Sequence, residues 1–127
     1  MNRANLHVFR IGNFVRSFHG RIRRIDNIDY KGINNRYLAG GMWQGEKHLK
    51  SIKIFKERLL RLGFSNLKYN RIGDYDLTAP DDRIQIFFEI NENHFIVHFE
   101  GVPECRVDSI HELQNLYFAL TGEELKI

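Results

Sequence analysis

Cysteine and proline are nearly missing from this chain: its 127 residues contain one cysteine, Cys105, and two prolines, Pro80 and Pro103. A single cysteine excludes an intramolecular disulfide framework and a multi-cysteine zinc site. No run approaches the ~20 apolar residues that a membrane span needs, and no basic-then-apolar leader opens the chain. Repeats, low-complexity tracts and Pro/Ser-rich linkers are missing as well. What is present suits a folded core: 43% of residues are hydrophobic and 13% aromatic. The expectation is one soluble cytoplasmic domain over residues 1–127, with 1–45 as a β subregion and 46–127 as the helical and sheet remainder.

The net charge of +3 hides a division. Residues 1–71 hold sixteen Lys or Arg against four acids, Asp26, Asp29, Glu46 and Glu57, giving +12. Residues 72–127 hold three basic residues, Arg83, Arg106 and Lys126, against twelve acids, giving −9. Such an asymmetry suits a polyanion, nucleotide or acidic partner on the first half. The alternative is that the halves attract each other and the charges solvate two faces.

Hydrophobic spacing predicts an α+β fold. Phe9, Ile11, Asn13 and Val15 alternate as on a half-buried strand. His19-Gly20 supplies a turn, and residues 21–28 read as a second strand. Ile22, Ile25 and Ile28 recur every third position there, so that strand should be bulged or bent. Residues 35–39 make a weaker third strand, and the three together suggest a meander or partial barrel. Residues 51–62 read as a helix, with Phe55, Leu59 and Leu62 on one face. Gly63 should take its left-handed C′ position, and Phe64 the hydrophobic contact that follows. The chain then returns to strands over 67–107. Residues 83–90 place Ile84, Ile86, Phe88 and Ile90 on one face, and Asn91-Glu92-Asn93 turns into a strand with Phe95, Val97 and Phe99. Residues 109–120 form the last helix, with Ser109 and Glu112 spaced as a capping box and Thr121-Gly122 as its end. Its apolar face, Ile110, Leu113, Leu116, Tyr117 and Leu120, has to lie on the antiparallel sheet.

No catalytic signature accompanies these elements, so the expectation is a non-enzyme without cofactor or metal. His94 and His98 are four apart, but on a strand at ~3.3 Å per residue they stand too far apart to share an ion. Cys105 with His111 lacks an oxyanion hole and a third member. Gly40-Gly41-Met42-Trp43-Gln44-Gly45 lacks the order of a phosphate-binding loop. It reads as a turn, with Trp43 either tucked into the core or stacking on a ligand from a flexible lip. Asp74, Asp76, Asp81 and Asp82 lack the glycine of a calcium loop and read as turn formers. The basic set remains. Arg21, Arg23, Arg24 and Arg36, with Trp43, Lys47 and Lys50, interleave cations and aromatics as phosphate contact plus stacking requires.

Three blocks carry a resemblance: Phe9-Arg10-Ile11-Gly12-Asn13-Phe14-Val15, Arg58-Leu59-Leu60-Arg61-Leu62-Gly63-Phe64, and His111-Glu112-Leu113-Gln114-Asn115-Leu116-Tyr117-Phe118-Ala119-Leu120-Thr121-Gly122-Glu123-Glu124-Leu125. In this order they resemble a family of small uncharacterised proteins of Bacteroidetes phages, prophages and mobile elements. The basic stretch from Lys47 to Lys56 departs from the family pattern, where an apolar-proline segment precedes the helix. The resemblance implies an accessory protein of the host bacterial cytoplasm and no particular activity. The expected function is binding of an anionic small molecule, such as a nucleotide signal, or of a host defence protein, through the basic half. The alternative is a small nucleic-acid-binding module with the meander as an SH3-like barrel.

Overall fold

The computed structural model describes residues 6–66, 77–89 and 94–125. Two antiparallel sheets share one C-terminal helix, an α+β architecture. The first sheet has the order β1 (Phe14–Arg16), β2 (Ile22–Asp29), β3 (Arg36–Ala39), β4 (Met42–Gly45). The second has the order β5 (Ser65–Asn66), β6 (Leu77–Thr78), β7 (Ile84–Glu89), β8 (His94–Phe99), β9 (Val102–Val107). Helix α1 (Lys56–Arg61) lies between the sheets in sequence, and α2 (Ile110–Thr121) ends the fold.

The meander has four strands rather than the expected three. Gly40 and Gly41 adopt φ of 64° and 78°, the left-handed pair of a tight two-residue hairpin turn, and Ala39 pairs directly with Met42. The stretch 42–45 is therefore a strand and no flexible lip, and Trp43 is 40% exposed rather than tucked into the core. Strand β2 carries the expected irregularity: its register against β3 shifts between Ile25 and Asn27, which returns Ile28 to the buried face. The first strand is shorter than alternation suggests. Gly12, at φ 95°, turns the chain, and Ile11 stays 49% exposed.

The helix expected over 51–62 is confined to Lys56–Arg61. Ile52 and Ile54 are buried while Ser51, Lys53 and Phe55 are exposed. That is the period of an extended chain, and it competes with the helical spacing of Phe55, Leu59 and Leu62. The segment 49–55 is a strap. Lys50 bridges to Arg16 of β1, and Lys53 bridges to Ser109 beside α2. The stop is as expected: Gly63 at φ 92° donates to Leu60 O, and Phe64 N donates to Leu59 O at 3.0 Å.

In the second sheet Ile84 pairs with Phe99, Ile86 with Val97 and Phe88 with Phe95. These six residues line one face, as expected. Ile90 and the turn at 91–93 lie outside the described residues, as does the strand reading of 67–76. Pro103 sits in β9, at the sheet edge, where its missing N–H breaks no ladder. Over this sheet lies the main core, which includes Leu59, Leu77, Ile84, Ile86, Leu113 and Leu116. A smaller core of Val15, Ile25, Ile28, Tyr37 and Leu49 fills the meander.

Helix α2 joins the two. Residues 110–117 are all buried, polar ones included. Ser109 caps the helix by accepting from Glu112 N, and Gly122 ends it at φ 74°. Its polar side is satisfied by the N-terminal segment. Asn115 donates to Leu6 O and Val8 O, both at 2.9 Å, and accepts from Asn13 Nδ2 at 2.8 Å. Gln114 accepts from Phe14 N at 2.8 Å and donates to Gly12 O and Leu125 O. Arg10 forks onto Glu124 just past the helix. No helix among the described residues is long and apolar enough to cross a membrane.

Candidate anion-binding site

Residues directly opposite in antiparallel strands share a face. Val15 faces Arg23, Ile25 faces Ala39, and Tyr37 faces Gln44. The concave side of the meander is thus an apolar row that ends in Arg23 at one mouth. There the sheet bears an open cleft of about 450 Å³, lined by Arg21 and Arg23 with Ser17, His19, Gly40, Met42 and Gln44.

Local hydrogen bonds hold this mouth open. Gln44 is 5% exposed; its Oε1 accepts from Phe18 N at 2.7 Å and its Nε2 donates to Ala39 O at 3.0 Å. One side chain therefore ties the β1–β2 turn to the β3–β4 hairpin. Ser17 N donates to Arg21 O at 2.8 Å, which sets Arg21 beside the cleft. The stem of Arg23 crosses Gly40, where a Cβ would come within 2.8 Å of Arg23 Cδ. Beside the mouth, Phe18 is 59% exposed and meets His48 edge-on with ring centroids 5.0 Å apart. Among the described residues no carboxylate pairs with Arg21 or Arg23. Two such guanidiniums, a hydroxyl, an imidazole and an exposed aromatic ring suit a phosphate-bearing ligand.

The other expected site residues are distributed elsewhere. Arg24 faces Phe14 on the convex side, and its guanidinium is taken by Asp26 at 3.0 Å. Arg36 faces Asp29 and Gly45 at the far end of β3. Trp43 faces Leu38 on the convex side. Lys47 lies in the 3-10 turn Glu46–His48, and Lys50 is opposite Arg16 on the strap. Ser17, His19, Phe18 and Gln44 were not legible as site residues. Their positions follow from reading 42–45 as a strand, which places Gln44 on the face of Tyr37.

A second polar cluster is closed. Ser109 Oγ lies 3.1 Å from His111 Nδ1 and 3.1 Å from Glu112 Oε1, and all three residues are buried. His111 Nε2 lies 3.1 Å from His7 O. A carbonyl only accepts, so Nε2 carries the proton. Burial pushes the His111 pKa below its ordinary value. The Ser109 hydroxyl caps a helix and faces no cavity described above, so these residues work as a joint. His94 and His98 lie on strand β8, with Cys105 beside it on β9 opposite Val97. Among the described residues no three His, Cys, Asp or Glu side chains are grouped to hold a metal ion.

No family model, curated protein or solved structure matches this chain.

Proposed function

We propose that this chain is a non-catalytic binding protein of phage or mobile-element origin that captures a phosphate-bearing small molecule, of nucleotide size, in the host cytoplasm. The observation that carries this reading is the mouth of the meander, where Arg21 and Arg23 meet Ser17, His19 and Gln44 around about 450 Å³. A nucleotide carries one to three phosphate groups for the guanidiniums and a base for Phe18 and His48. The resemblance of the Phe9–Val15, Arg58–Phe64 and His111–Leu125 blocks supports the origin, and the first and last blocks are hydrogen-bonded to each other.

The test is thermal melting of the protein against ATP, GTP and their cyclic monophosphates. A binding nucleotide raises the melting temperature as its concentration passes Kd, by mass action on the native state. Arg23→Ala is expected to remove that rise while leaving the unliganded melting temperature near the wild-type value. No rise with any of them at millimolar concentration, or an equal rise for Arg23→Ala, refutes the reading.

A nucleic-acid-binding module is the second reading. The antiparallel order of the four strands, the 3-10 turn and the bridge of Lys50 to Arg16 of β1 support its meander as a small SH3-like barrel. The convex face with Arg24, Arg36 and Trp43 suits backbone contact plus stacking.

A further inference from the structure

A second cationic surface lies on the convex side of the meander, where it meets both helices. Phe14 and Ile22 point there, on the face opposite to Val15 and Arg23. With Ile52 of the strap, Leu62 after α1 and Ile110 at the start of α2, they floor a notch of about 50 Å³ under Arg58 and Arg61. Arg58 is held in place. Its Nη1 donates to Lys53 O at 2.7 Å, and its guanidinium stacks 4.8 Å over the Phe55 ring. Burial and the positive charges of Arg16 and Arg61 push its pKa below the ordinary arginine value. No carboxylate among the described residues pairs with Arg58 or Arg61. Phe55 and Ile22 stay 49% and 37% exposed beside the notch.

We propose that this notch docks an acidic segment of a partner protein, which inserts one aliphatic side chain over Phe14, Ile22 and Ile110 and sets carboxylates against Arg58 and Arg61. Two features select that occupant. The notch is roughly a ninth of the volume of the cleft at Arg23, room for one small alkyl group and not for a base. Its rim is cationic with no carboxylate paired to it among the described residues, and rigid guanidiniums beside exposed aromatic surface are the composition of energetic anchors in protein interfaces. The site is separate from the mouth of the meander and stands without the nucleotide reading.

The probe is a labelled peptide with a central leucine flanked by three acidic residues on each side, titrated by anisotropy into the full chain. Binding is expected, weakened roughly tenfold or more by Arg58→Glu and by serine in place of the peptide leucine. Arg23→Glu is expected to leave it unchanged. Arg61 is exposed, so Arg61→Glu carries the same expectation should Arg58→Glu lose its native circular dichroism. Absence of binding at millimolar peptide, or equal binding of the serine peptide, overturns the proposal. So does displacement of the peptide by 4-methylpentanoate at equal concentration, which would make the notch a small-carboxylate site, or stronger competition by duplex DNA that ignores the leucine.

Discussion

Asn115 is 8% exposed and ties α2 to residues 6–13 through one amide. Its oxygen takes Asn13 Nδ2 and Arg10 Nε, and its nitrogen serves Leu6 O and Val8 O. Alanine there strands several polar groups, each of which costs 1–3 kcal/mol when buried without a partner. Asn115→Ala should therefore lose about 3 kcal/mol in urea unfolding, more than an exposed substitution such as Phe118→Ala. His111 makes stability depend on pH. Burial lowers its pKa below the ordinary 6.5, so below about pH 6.5 the unfolded chain takes up a proton that the folded chain refuses. The unfolded state then binds more protons, and stability falls as pH drops from 7.5 to 5. His111→Gln should flatten the melting temperature over that interval, even if its value at pH 7.5 is lower. Asp81 does not confuse this window, because the hydrogen bonds from Arg83 hold its carboxyl at about 2.

At the scale of elements, α2 is the part on which both sheets depend. Leu116 is 1% exposed and belongs to the core over the second sheet, while the opposite side of the same helix holds residues 6–14 through Gln114 and Asn115. Leu116→Asp buries an uncompensated charge, at more than ~4 kcal/mol, and should abolish the cooperative thermal transition. A soluble Leu116→Asp variant that melts like the wild type would show that the helix is not docked. Ser109→Ala, by contrast, removes the cap together with the hydroxyl's contacts to His111 Nδ1 and Glu112 Oε1 and should cost about 2 kcal/mol.

Among the described residues, few ion pairs join the two oppositely charged halves of the molecule. Among the described residues, Arg10–Glu124 is the one arginine–carboxylate pair that crosses between them, and Arg24–Asp26, Arg83–Asp81 and Arg106–Asp108 are each two residues apart. Salt titration separates the partners. Log K for nucleic acid falls by about 0.7–0.9 per phosphate contacted with each unit of log salt. Four contacts thus cost about three orders of magnitude per decade. Binding of a small nucleotide at the mouth should be tighter and show a much shallower slope. Sub-micromolar, sequence-selective DNA or RNA binding at physiological salt would favour the second reading instead.

The hairpin of β7 and β8 and the helix α2 were legible because each is decided by a local period, two or 3.6, backed by capping and turn residues. The stops at Gly63 and Gly122 were legible for the same reason: only the left-handed backbone there demands glycine. Where two periods overlap, as in 51–55, the choice passed to neighbours. Arg16, Ser109 and Ile110 bond the strap as extended chain, and no helix could meet those partners. The candidate site was half legible. Charge counting named Arg21 and Arg23, but whether an arginine faces the concave or convex side depends on pairing register, and one missed strand hid Gln44 and split the basic set. Composition and local spacing determined which elements form and that the first half is cationic. Which cations meet, and around what, is a property of strand register and helix docking, set by contacts between residues a hundred positions apart that no local pattern encodes.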